Sequence, residues 1–188
     1  VCQTVFFKVV RILGMSLDLT ALGQALVKAA YLEGDFVLSS GQRSRYYMDK
    51  YRFSTDPKLL KPIAQGLAGL LPDGLEMLAG VELGAVPLVT AVSLEVGLPF
   101  VIVRKAAKEY GTSKLIEGVL QPGAKLALIE DVLTTAGQAI RAAKLLVELG
   151  AHVERIVYVV DREQGADTNI RQAGFTPAAL FTKTSLGI

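Results

Sequence analysis

Leu126-Ala127-Leu128-Ile129-Glu130-Asp131-Val132-Leu133-Thr134-Thr135-Ala136-Gly137-Gln138 is the stretch on which the reading of this chain turns. Its first four residues are apolar and form a segment of strand length, and Pro122-Gly123 supplies a turn before them. Glu130 and Asp131 stand where that strand is expected to end. A small-residue loop, Thr134 to Gly137, leads into a helical pattern that starts near Gln138. Strand, small loop and helix start in that order make an anion cradle, because loop amides and the positive end of the helix dipole converge there. Carboxylates beside such a cradle would repel the anion it holds. They are therefore expected to face another part of the ligand, and ribose hydroxyls, with or without a metal ion, fit that description. A plain βα turn with solvated acids is the competing reading.

At 188 residues the chain is long enough to bury the core of one α/β domain. Hydrophobic content of 51%, charged content of 20% and a net charge of +2 exclude a disordered chain and a strongly basic nucleic-acid binder. Cys2 is the only cysteine and His152 the only histidine, so neither an intrachain disulfide nor a Cys/His metal cluster is expected. No uncharged run approaches the ~18 apolar residues needed to span a bilayer. A cytoplasmic protein with no membrane and no nucleic-acid partner is the expectation. Residues 1–13 are apolar but carry Lys8 and Arg11 and lack a small-residue cleavage pattern. Met15 is read as the natural start, with residues 1–17 an N-terminal extension to a single domain over 18–188.

Outward from the central stretch, the pattern alternates. Asp18 or Thr20 caps a first helix with Leu22, Ala25, Leu26 and Ala29 on one face, expected to end around Glu33-Gly34. Residues 35–49 read as a hairpin with a Ser39-Ser40-Gly41 turn and an aromatic second strand. Asp56-Pro57 opens a helix whose apolar stripe runs to Leu71, before Pro72-Asp73-Gly74 stops it. Met77–Val81 reads as a buried strand, Glu82–Pro87 as a tight loop into a helix through Val96, and Pro99–Val103 as the next strand. Arg104-Lys105-Ala106-Ala107-Lys108-Glu109-Tyr110-Gly111-Thr112 is a polar loop that, taken alone, reads as a solvated charge run. After the central stretch come a helix ending at Gly150, a strand over Val153–Val160, a short helix over 166–173 and a last strand over Phe175–Phe181. Such alternation predicts a mostly parallel sheet covered by helices on both faces. Asp161-Arg162-Glu163-Gln164-Gly165 then falls at the carboxyl end of a strand, where open α/β sheets bind ligands.

Leu128 to Gln138 resembles the phosphoribosyl pyrophosphate signature of type I phosphoribosyltransferases, with Ala136-Gly137-Gln138 in place of the usual Gly-Gly-Ser. Three further segments resemble the orotate branch of that family. They are the Ser40-Gly41-x-x-Ser44-x-Tyr46 hairpin, the Arg104-Lys105-x-x-Lys108 loop and the Asp161-Arg162-x-x-Gly165 segment. The resemblance implies an N-terminal helix and hairpin hood over residues 18–55 and a flexible catalytic loop over 104–117 that closes across a homodimer interface onto the neighbouring site. It implies Mg²⁺-dependent transfer of ribose 5-phosphate from phosphoribosyl pyrophosphate to orotate, the ion being held by substrate and water rather than directly by the protein. Implied catalytic residues are Lys105, Lys108, Glu130 and Asp131. Phosphoribosyl pyrophosphate falls to these together with Arg104 and Val132, Leu133, Thr134, Thr135, Ala136, Gly137 and Gln138. Orotate falls to Thr134, Arg162 and Tyr47, the last from an aromatic pair whose second member is Met48 here. A non-proline cis peptide is implied in the Glu82–Pro87 loop. This chain departs from the family at Ser39 and Tyr110, where many members have lysine and histidine, and it has no lysine between Gly80 and Leu98. A purine phosphoribosyltransferase and a non-catalytic regulator binding phosphoribosyl ligands are the alternatives.

Overall fold

Short, continuously apolar strands separated by helices have one economical arrangement, a parallel sheet with both faces covered, and residues 77–182 adopt it. The computed structural model describes residues 10–12, 15–37, 43–105 and 115–188. In chain order these form β1 (Val10–Ile12), β2 (Met15–Leu17), α1 (Leu19–Ala30), β3 (Tyr31–Val37), β4 (Arg43–Met48), α2 (Tyr51–Ser54) and α3 (Pro57–Ala68). There follow β5 (Met77–Val81), α4 (Val86–Val96), β6 (Phe100–Val103), β7 (Ile116–Glu117), β8 (Lys125–Leu133) and α5 (Gly137–Glu148). The chain ends with β9 (His152–Asp161), α6 (Ala166–Gln172), β10 (Pro177–Thr182) and α7 (Lys183–Leu186).

The main sheet has the order β10-β9-β8-β5-β6-β7. All its pairings are parallel except β7 on β6. The two consecutive parallel strands β5 and β6 run outward one way, and β8, β9 and β10 run outward the other. The order therefore reverses between β5 and β8, and a crevice opens at the carboxyl ends of the strands at that point. Among the described residues, the motifs singled out in the sequence other than the hood lie at this end of the strands or on the loops that leave it.

Alternation along β8 assigns its side chains to two cores. Ala127 and Ile129 pack with Leu26, Phe53, Ile63 and Leu88 on the face covered by α1–α4. Leu126 and Leu128 pack with Ala139, Ala143, Leu146 and Ile170 on the face covered by α5 and α6. Each fully buried Leu or Ile contributes about 1.5–3 kcal/mol of transfer free energy, so the strand is clamped from both sides. Period two then gives Asp131 the parity of Ile129, toward the hood, and Glu130 the parity of Leu128.

Several boundaries differ from the sequence expectation. The first helix stops at Ala30, not Glu33-Gly34, and Tyr31 already begins β3, because Tyr31 pairs with Met48 and Leu32 with Tyr47 across the hairpin. Asp18, not Thr20, caps that helix, accepting from the amides of Thr20 and Ala21 at 2.9 and 3.0 Å, a contact worth about 1 kcal/mol. The second predicted helix ends at Ala68, with its stripe residue Leu71 in the turn beyond it. The central strand does not end before the acids. It runs to Leu133, since Glu130, Val132 and Leu133 continue the ladder opposite Tyr158, Val160 and Asp161 of β9. The hairpin turn at 38–42, Lys108, Tyr110 and residues 1–9 lie outside the described residues.

Candidate active site

The ladder to β9 carries Glu130 and Asp131 into the protein, leaving them 6% and 4% exposed. Burying two adjacent carboxyl groups is tolerable only if charge is removed or paired, and each acid takes one of these routes. Asp131 is paired. Its Oδ2 lies 2.7 Å from Lys50 Nζ, and its Oδ1 accepts the Val132 amide at 2.5 Å. Glu130 loses its charge instead. Burial first, and the Asp131 charge second, push its pKa up from 4.5 to about 8. The two acids, which the sequence suggested as two equivalent carboxylates, thus sit in different settings: Asp131 against an ammonium, and Glu130 where burial favours its protonated form.

Lys50 follows β4 and reaches this pair from the hood. Burial works against its ammonium, but the charge of Asp131 and the hydrogen bond to it outweigh that, and its pKa is raised. Gly84 makes room for the contact. A Cβ at that position would lie 1.8 Å from Asp131 Oδ2 and 2.7 Å from Lys50 Nζ, so no larger residue fits there without displacing the pair.

The small-residue loop follows directly. Thr134 and Thr135 are exposed, and Ala136 takes a left-handed conformation (φ 60°) just before α5. α5 therefore begins directly after the short loop that leaves β8, the order of strand, loop and helix start on which the expected cradle rests. Asn169 of α6 steadies it, its Nδ2 donating to the Thr135 carbonyl at 3.0 Å. Arg141, one turn into α5, lines the same cleft.

Arg162 is placed by its neighbours. Its backbone amide donates to the Leu133 carbonyl at 2.9 Å. Buried Asp161 accepts the Glu163 amide at 2.7 Å and the Tyr158 hydroxyl at 3.1 Å, which fixes the turn. The guanidinium then donates to the Tyr46 hydroxyl at 2.8 Å and lies 4.9 Å from the centre of the Tyr46 ring. Tyr46 itself stacks on Tyr31 at 5.4 Å. The next residue, Tyr47, points the other way, as alternation requires. It lines the cleft beside Phe36, their rings 5.6 Å apart, while Met48 is buried in the core.

The loop after β5 closes the other side. Its Glu82–Leu83 peptide is cis, as the resemblance implied. The Glu82 carboxylate accepts the Lys105 amide at 2.7 Å and lies 4.0 Å from Arg104. Arg104 also meets Glu117 at 3.4 Å. These contacts turn Arg104 toward a smaller hollow with Leu115 and Leu145, away from the main cleft, whereas Lys105 lines both.

The main cleft has a volume of about 1150 Å³ and gathers Tyr47, Lys105, Glu130, Asp131, residues 132–138 and Arg162 around one space. Sequence reasoning missed Lys50, Phe36, Gly84 and Arg141, which line it too, and Tyr46, which holds Arg162. Gly84 lay in the Glu82–Pro87 loop, and Phe36 and Tyr46 lay in the hairpin, but none of them was given a role. The arrangement offers an amide cradle for one anion, a charged acid beside a neutral one for hydroxyls, and a guanidinium under an aromatic rim for a planar carboxylate. Both Asp131 oxygens are engaged, one by Lys50 and one by the Val132 amide, so Asp131 is already paired without a metal ion. No helix among the described residues is long and apolar enough to cross a membrane.

No family model matches the chain. The chain is 48% identical over 153 residues to the orotate phosphoribosyltransferase of Methanocella arvoryzae, covering 81% of this chain and 87% of that protein. It is 43% identical over 172 residues to the orotate phosphoribosyltransferase of a Nocardioides species, covering 92% of this chain and 96% of the relative. Among solved structures, the orotate phosphoribosyltransferase of Mycobacterium tuberculosis in complex with phosphoribosyl pyrophosphate matches with a TM-score of 0.76 at 27% identity, covering 90% of this chain and 99% of that one.

Proposed function

The chain belongs to the orotate phosphoribosyltransferase family, and from that membership we propose how its cleft carries out the family's reaction. That reaction transfers ribose 5-phosphate from phosphoribosyl pyrophosphate to orotate, releasing pyrophosphate and giving orotidine 5′-monophosphate in pyrimidine-nucleotide synthesis. One observation supports the assignment of parts: the cradle, the acid pair and Arg162 converge on one cleft at the point where the strand order reverses.

Residues 134–138 bind the 5′-phosphate, their amides and the start of α5 acting on its charge. Asp131 accepts from the ribose hydroxyls and lies close to the anomeric carbon. As the C1–O bond breaks, the electron pair leaves with pyrophosphate and positive charge develops on the ribose, which the Asp131 carboxylate stabilises. Neutral Glu130 can donate as well as accept, so it orients a hydroxyl without adding a second charge. Lys105 and Lys108 neutralise the departing pyrophosphate. A bound Mg²⁺, carried by phosphoribosyl pyrophosphate, would add Lewis-acid stabilisation of the same oxygens. Arg162 grips the orotate carboxylate, Tyr47 covers the ring, and Thr134 lies beside it. The deprotonated ring nitrogen of orotate attacks C1, so no protein nucleophile is needed.

A cytoplasmic homodimer, in which residues 104–117 serve the partner's cleft, is the setting we propose for this chemistry. A forward assay with orotate, hypoxanthine and uracil as competing acceptors tests the substrate. Turnover of orotate alone is expected, and preferential use of hypoxanthine would overturn the reading.

A further inference from the structure

We infer that Lys50 is a pyrophosphate-binding residue of this enzyme, supplying to the loop after β5 the positive charge that the loop itself lacks. Between Gly80 and Leu98 the chain has no lysine or arginine, and its charged residues there are Glu82 and Glu95. The ionisable side chains that the wall formed by this loop and the end of β8 presents to an anion are therefore all carboxyl groups, those of Glu82, Glu130 and Asp131. Lys50 changes that. It comes from outside both segments, and its ammonium lies against the loop backbone, since a Cβ on Gly84 would fall 2.7 Å from Nζ and 2.9 Å from Cε.

A simpler role, neutralising buried Asp131, accounts for the 2.7 Å ion pair but not for the rest of the placement. The Lys50 side chain is 32% exposed and lines the cleft together with Glu82, Gly84 and Lys105. An ammonium has three donors. With one on Asp131, a second can reach an oxygen of a diphosphate held in the cleft between Gly84 and Lys105. Charge balance favours the same position, because the ammonium stands between the Asp131 carboxylate and the incoming phosphates and screens one from the other.

The inference rests on the phosphoribosyl transfer proposed above, and inorganic pyrophosphate is a probe that tests it without turnover. Calorimetric titration of wild type, Lys50→Met and Lys50→Arg would be paired with substrate KM values and thermal melts. Lys50→Met should weaken pyrophosphate binding at least about tenfold, the factor that one charge-assisted hydrogen bond carries. It should raise the KM of phosphoribosyl pyrophosphate by a similar factor and leave that of orotate within about twofold. Lys50→Arg should recover most of the binding. If Lys50→Met does not fold, Lys50→Met combined with Asp131→Asn removes the orphaned buried charge, and its pyrophosphate affinity is compared with that of Asp131→Asn alone. Unchanged pyrophosphate affinity in either comparison reduces Lys50 to a partner of Asp131 and overturns the inference. A wild type that makes no orotidine 5′-monophosphate would instead overturn the transfer reading.

Discussion

Glu130→Gln separates two properties of one carboxyl group, its burial and its charge. The native protein pushes the Glu130 pKa from 4.5 up to about 8, through burial first and the Asp131 charge second. In the unfolded chain neither cause operates, and the group ionises near its ordinary value. Between those two values the native state holds a proton that the unfolded state has released. The stabilisation is therefore fully present below the lower value and is lost as pH rises through the upper one. One proton gives a slope of about 1.4 kcal/mol per pH unit, so the span from about pH 5 to about pH 8 bounds the effect at roughly 4 kcal/mol. Glutamine keeps the shape and the hydrogen-bonding capacity but cannot ionise. Urea unfolding of both proteins across the same range should show the variant gaining on wild type by that amount as pH rises. A stability gap constant to within about 0.5 kcal/mol would mean that Glu130 is ionised in the native protein, and the neutral-acid reading would fail.

Arg162→Lys keeps the charge but loses the planar fork, so the orotate KM should rise roughly tenfold or more while that of phosphoribosyl pyrophosphate changes little; equal changes in initial-rate kinetics would detach Arg162 from orotate. Gly84→Ala forces a methyl group into the Asp131–Lys50 contact. It should cost about 1–3 kcal/mol of stability and most of the activity, and a variant matching wild type in melting and rate would show that the loop yields freely. Mixing two inactive variants, Lys108→Ala and Asp131→Asn, should return about a quarter of wild-type activity. Random exchange makes about half the dimers hybrid, each with one intact site. If subunit exchange is demonstrated and no activity returns, the 104–117 segment serves its own subunit.

What the sequence made legible follows from where the information is local. Met77–Val81 reads correctly to the residue because all five of its positions are buried, and a strand covered on both faces is simply apolar throughout. Arg162 and the Thr134–Gln138 loop were legible for a related reason, being positioned by the ends of such strands. The continuation of β8 through Glu130 and Asp131 was not. Both residues disfavour strands, and only the ladder to Tyr158 and Asp161, about thirty positions later in the chain, overrides that preference. The end of α1 was missed likewise, because Tyr31 belongs to the hairpin through Met48 rather than through its own neighbours. Lys50 carried no signal at all. A single lysine after Asp49 becomes informative only when the hood folds onto β8.

The fastening of Tyr46 to Arg162 bears on how the hairpin and its ligand share a fate. A two-stranded ribbon on its own is marginal in water, and β3–β4 forms its own two-stranded sheet. Part of what secures it is one hydrogen bond and a cation–π contact to an arginine 116 positions away in the chain. A guanidinium has five donors, so Arg162 can hold Tyr46 and a carboxylate together. Opening of the ribbon and departure of the ligand would then form a single cooperative event. Amide hydrogen exchange in β3–β4 should slow as orotate is added, by the factor that mass action sets, while exchange in β8 and β9 stays governed by global unfolding.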